Sequence, residues 1–139
     1  MNRAGWRQLA EDRVLDAKAL LDAHRWACAY YVAGYAIECA LKCCVLAYVE
    51  NTGVIFDDPK FLEKCRTHKL DDLVRLAGLD ATFGVARGAN PNLDGFWRTV
   101  SVWTEESRYQ QKGQPDAEQL YEAITNDPDG VLRWIRQHW

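Results

Sequence analysis

What this chain has little of narrows the field first. Only three histidines occur in 139 residues, and none stands in an H-E-x-x-H motif. No G-x-x-x-x-G-K-[ST] loop is present to cradle phosphates, and no Ser/His/Asp set marks a hydrolase. The five cysteines include no C-x-x-C pair, so the usual ligand spacing of structural zinc is missing. Basic residues are not in excess, with 17 Lys and Arg against 20 Asp and Glu and a net charge of −3. That balance excludes the strongly basic footprint of a general nucleic-acid binder, and any such contact is local. The opening MNRAGWRQLAEDR has no apolar run of the signal-peptide kind. Period-two alternation, internal repeats and low-complexity tracts are absent too.

What remains is ordinary globular material, 48% apolar and 27% charged, at a length that suits one domain with a real core. An odd number of cysteines, most of them inside one helical run, fits a reducing cytoplasm better than a secreted disulfide framework.

Helical signals run along the chain. Residues 4–22 place Ala10, Val14, Ala17 and Leu21 at spacings of three and four, which predicts an amphipathic helix. A second helix is expected from Trp26 to about Val49, ended at Asn51-Thr52-Gly53. Asp58-Pro59 introduces a short helix over 60–66. Thr67 or His68 opens another over Leu70–Leu76, stopped by Gly78. The stretch from Gly84 to Pro91 reads as a loop, residues 93–103 as a Trp-rich helix, and Thr104–Gln114 as a polar loop. Pro115-Asp116 starts a helix to about Thr125, and Asp127-Pro128 a last one to the end. The fold class is all-α, a helical bundle built on a long antiparallel helix pair.

The second helix carries YYVAGYAIECALKCC, in which one Glu and one Lys stand among apolar and aromatic residues. A membrane span is the competing reading. Each of those charges would cost about 2.5–3.5 kcal/mol near the bilayer centre, and the Ala, Cys and Tyr content is not that of a lipid-facing helix. A buried helix without a membrane is therefore expected. At about 100° per residue, His24, Tyr31, Tyr35, Glu38 and Lys42 fall on one stripe. Ala29, Ala33, Ala36, Ala40 and Ala47 fall opposite, where a neighbouring helix can approach closely. Glu38 beside aromatic residues reads as a partly buried carboxylate in need of a cation.

Three motifs in order resemble the HEPN-domain family: the run Ala29–Lys42, then Thr67-His68-Lys69-Leu70-Asp71-Asp72-Leu73, then Trp103-Thr104-Glu105-Glu106-Ser107-Arg108-Tyr109. The resemblance spans about residues 6–139 and implies a small HEPN-like bundle, commonly a homodimer. Its relatives act beside minimal nucleotidyltransferases, in toxin–antitoxin pairs, or as metal-independent ribonucleases. The ribonuclease members use an Arg followed four to six residues later by a His, the Arg meeting the phosphate and the His moving the proton. Here no His follows Arg108. That spacing occurs as Arg133 and His138, at the extreme C-terminus, where close to one match is expected by chance.

The expected function is an interaction or nucleotide-associated module, with a nucleotidyltransferase-like protein, a nucleotide or RNA as partner. A divergent metal-independent endoribonuclease is the alternative. The expected site is Tyr35, Glu38, Lys42, Arg108 and Tyr109, with the Arg108 fork holding Glu38; the alternative is an Arg108 free for a phosphate, and both can hold where the carboxylate orients one edge of the guanidinium. Cys39 with Cys43, and Cys65 with His68, have metal-like spacings, but core packing is the expected role and no metal or cofactor is expected. His68 is expected to cap its helix or to bond a buried carbonyl. Trp97, Trp103, Trp134 and Trp139 are expected as core or interface anchors.

Overall fold

The computed structural model describes all 139 residues and contains helices and turns but no strand. Helix α1 spans Arg3–Asp22 and α2 spans Trp26–Thr52. Four shorter helices follow: α3 (Val54–Asp57), α4 (Phe61–Lys64), α5 (Leu70–Leu76) and α6 (Asp80–Ala89). Then come α7 (Pro91–Ser101), a 3-10 turn at Glu105–Tyr109, α8 (Gln114–Thr125) and α9 (Val131–Ile135). The chain is all-α, as its periodicity predicts.

Helices α1 and α2 make the most extensive pairing in the molecule, and α2 also touches α5, α8, α9 and the 3-10 turn. Small residues permit that. Ala10 and Ala17 of α1 are fully buried, as are Ala36 and Ala40 of α2, with Ala29, Ala33 and Ala47 nearly so. On length and composition α2 could cross a membrane, yet 67% of its most apolar stretch is buried inside the bundle. Gly53, with φ +64, stops it by donating its N–H to the Val49 carbonyl. Gly34 is needed for a different reason. A Cβ there would fall inside the indole of Trp103, which is buried and stacked on Tyr31 with ring centroids 6.0 Å apart.

Several segments differ from expectation: α3 has no counterpart among the expected elements, and the expected polar loop Thr104–Gln114 contains the 3-10 turn Glu105–Tyr109. Residues 84–89, read as a loop because of their glycines, form the second half of α6. The reason is Phe83, which buries itself between Trp97 (4.9 Å) and Trp134 (4.3 Å), while Gly84 and Gly88 face open space. That packing outweighs the helix cost of two glycines, about 1 kcal/mol each. The last helix is also shorter than expected, ending at Ile135 rather than at the C-terminus. Asn90 caps α7, its side chain accepting from the N–H groups of Asn92 and Leu93 with Pro91 in the first turn.

Candidate functional site

The charged pair in the apolar run of α2 has distinct surroundings. Glu38 is 1% exposed, and apart from Ser107 it is the only polar residue buried to that degree. Its Oε1 accepts from Lys42 Nζ at 2.8 Å and from His68 Nδ1, also at 2.8 Å. Lys42 is the favourable i,i+4 partner on the same helix. His68 arrives from the segment before α5, so Thr67–Lys69 is tied to the middle of α2. A carboxylate only accepts, so the imidazole hydrogen in this contact sits on Nδ1. The Lys42 ammonium also lies 5.3 Å from the Trp6 ring centre.

This corrects two expectations. Arg108 does not hold Glu38; its guanidinium lies 4.8 Å from the Tyr109 ring centre. The 3-10 turn that carries Arg108 meets α2 near Tyr31, and Glu38 is seven residues further on, about 10 Å along the helix axis. His68 neither caps α5 nor bonds a carbonyl; it is a second donor to Glu38. A sequence signal for this existed. A buried carboxylate has more lone pairs than one Lys can fill, and His68 stands in the second of the three motifs.

Tyr35 bridges the two regions. Its ring stacks on Tyr31 at 6.2 Å and nearly parallel. Burial pushes its phenol up to about 12. Burial also raises the Cys39 thiol to about 11, although the neighbouring Tyr35 hydroxyl pulls the other way. The structure thus places Tyr35, Glu38 and Lys42 together and sets Arg108 and Tyr109 apart at the other end of the stripe.

A cleft of about 510 Å³ opens at that other end, where α1 turns into α2. Its charged side chains are Arg25, Arg108 and Lys112, with His24 beside them, and no carboxylate lines it. Trp26 and Tyr31 supply aromatic surface. Lys112 is braced 4.7 Å from the Tyr30 ring centre, and His24 stacks on Trp26 at 5.0 Å. His24 has φ +59, a left-handed conformation that is uncommon for a residue with a side chain. It closes α1, with its N–H donating to Leu21 and that of Arg25 to Leu20. The start of α2 has no side-chain cap and no acidic residue in its first turn. Its positive end therefore adds to the charge of the cleft.

The arginines sort themselves by partner. Of eleven in the chain, seven form ion pairs with carboxylates. Arg7 and Arg108 lie over the rings of Trp139 and Tyr109. Arg25 and Arg66 have neither, and each lines a cavity.

The remaining candidates are engaged separately. Arg133 Nη1 bonds Asp127 at 2.6 Å, and the His138 ring lies 4.2 Å from that of Trp134. Burial lowers the pKa of His138. The five cysteines are free thiols, and no cluster of three or more His, Cys, Asp or Glu side chains is placed to hold a metal ion. Trp97, Trp103 and Trp134 belong to the core, while Trp139 lies between Arg7 and Arg136.

No family model, no curated protein and no solved structure matches this chain.

Proposed function

We propose that this chain is a HEPN-like helical module that engages a nucleotide-bearing ligand at the cleft around Arg108. The setting is the one its motifs imply: a cytoplasmic homodimer, paired with a nucleotidyltransferase-like protein in a toxin–antitoxin type system. The observation that carries the reading is the carboxylate-free cleft in which Arg25, Arg108 and Lys112 meet beside Trp26 and Tyr31. Arginine forks suit phosphate oxygens, and an uncapped helix start favours the same charge. Flat aromatic faces suit a base. The volume falls in the range of small-molecule sites, about 300–1,000 Å³. Tyr109 supports Arg108 from its exposed side, and Tyr35 backs Tyr31. Glu38 and Lys42 anchor the other half of the stripe through His68. Exposed Leu15, Phe56, Val85 and Val102 leave apolar surface for self-association.

Calorimetric titration with ATP, GTP and AMP tests the reading. Binding is expected to weaken as salt rises and to be lost in Arg108→Ala/Lys112→Ala. The melting temperature should fall by no more than a few degrees, because neither cation has a carboxylate partner and each ring contact is worth about 0.5–1 kcal/mol. Nucleotide binding that survives the double substitution overturns the assignment of the cleft. Co-purification from the native host with mass spectrometry identifies the protein partner.

One observation favours the ribonuclease alternative. The His missing after Arg108 along the chain has a spatial counterpart, because His24 lines the same cleft as Arg108. In this reading Arg108 meets the phosphate, His24 takes the proton of the attacking 2′-hydroxyl, and the P–O5′ bond breaks with the leaving 5′-oxygen protonated from water. Cleavage giving 2′,3′-cyclic phosphate ends, insensitive to chelator and abolished in His24→Asn, is its signature. Asn tolerates the left-handed backbone, so that variant keeps the turn.

A further inference from the structure

The second unpartnered arginine marks a different face. A groove of about 260 Å³ runs between α1, α2, α4 and α5. Helix α2 contributes Val45, Leu46 and Val49, α1 contributes Trp6, and α4 and α5 contribute Leu62 and Leu73. Leu62 of α4 is 63% exposed at the edge of this groove. The only charged lining residues are Lys42 and Arg66, and both are cations. Lys42 spends its charge on Glu38 below. Arg66 is exposed and touches no carboxylate and no ring, in a chain where nearly every other arginine does.

We infer that this groove is a docking site for an acidic, leucine-bearing amphipathic helix of a partner protein. Three features select that occupant. The apolar lining takes aliphatic side chains spaced at i and i+4, the anchors of helix-in-groove recognition. The volume, about 260 Å³, accommodates a pair of aliphatic side chains. The free Arg66 guanidinium at the rim complements a carboxylate flanking those anchors, and the absence of any acidic lining residue removes the opposing charge. His68 contributes from below. It ties the segment just after Arg66 to Glu38 of α2, beside the groove. This site is separate from the Arg108 cleft and does not depend on how that cleft is used.

The test uses two fluorescein-labelled amphipathic peptides of fourteen or so residues with the same Leu positions. One has Glu flanks and the other Lys. Anisotropy with the full chain should show the Glu peptide binding roughly tenfold or more tighter than the Lys peptide. Arg66→Glu should reverse that preference, and Leu62→Glu should abolish binding of both. Both residues are exposed, so the variants keep the fold, and circular dichroism checks this. Equal affinity for the two peptides, no binding of the Glu peptide, or binding indifferent to Arg66→Glu overturns the proposal. So does decanoate displacing the peptide at equal concentration, which would make the groove a lipid site. A dimer that Leu62→Glu converts to monomer in light scattering would assign the groove to a second copy and overturn it likewise.

Discussion

Glu38→Gln is the substitution that weighs the centre of the molecule. The amide keeps the size and shape of the carboxylate, and its oxygen still accepts one hydrogen bond, so packing hardly changes. The charge is what goes. Glu38 is 1% exposed, and Oε1 takes Lys42 and His68 at 2.8 Å each. The Lys42 side chain is 18% exposed and would be left without a counter-ion. Stranding one member of a buried pair costs about 3–5 kcal/mol, and the remaining exposure of Lys42 gives part of that back to water. The His68 side chain is 50% exposed, so its contact adds no more than about 1 kcal/mol. A net loss of about 2–4 kcal/mol is expected, a fall in melting temperature of roughly 6–15 °C for a chain of this size. Urea unfolding followed by circular dichroism measures it, with an unchanged slope showing that the unfolded state is not the cause. A cycle with Lys42→Met then isolates the pair. If Glu38→Gln lies within about 0.5 kcal/mol of the parent chain, or the cycle shows no coupling, the carboxylate is an ordinary solvated group and the reasoning fails.

Gly34→Ala should destabilise by about 1–2 kcal/mol, the crowding of the buried Trp103 ring outweighing the better helix propensity of alanine; a variant as stable as the parent would mean that the indole moves freely. In the native protein at pH 8 a disulfide reagent should label exposed Cys28 fast and half-buried Cys65 slowly, and leave the three buried thiols until urea is added; fast reaction of all five contradicts the packing of α2. Burial raises Cys39 to about 11 and Cys44 to about 12, from an ordinary value of 9.0. The fold therefore keeps protons that the unfolded chain releases, so this contribution to stability is whole below pH 9 and drains as pH climbs towards 11–12. Urea midpoints measured from pH 8 to 10.5 should fall, and should fall less in a Cys39→Ala/Cys44→Ala chain.

Much of the scaffold is legible along the chain because its signals are local. The spacing of Ala10, Val14, Ala17 and Leu21 marks α1, and the alanine stripe of α2 marks the face that α1 covers. Gly53 announces the end of α2, because a left-handed stop is cheapest without a Cβ. Composition along one helix also identifies Glu38 as a carboxylate in need of a cation, since an isolated buried charge is too costly to leave alone. Local signals mislead at Gly84–Ala89, where the deciding term is the burial of Phe83 against two tryptophans that lie 14 and 51 residues further on.

Which cation answers Glu38 is a question of distance in space. The chain offers Arg108 the right chemistry, but the 3-10 turn brings it to α2 at the level of Tyr31, and the hydrogen bond goes to His68 instead. The same holds for the two cavities. Arg25, Arg108 and Lys112 are scattered in the sequence and become one cleft because the α1–α2 turn and the 3-10 turn meet at one end of the bundle. Sequence determines which residues are small, apolar or charged on each helix, because those are properties of single residues and their periodicity. Tertiary structure alone decides which charges meet, because electrostatic partners are chosen within about 3–5 Å, and that proximity exists only after the helices have packed.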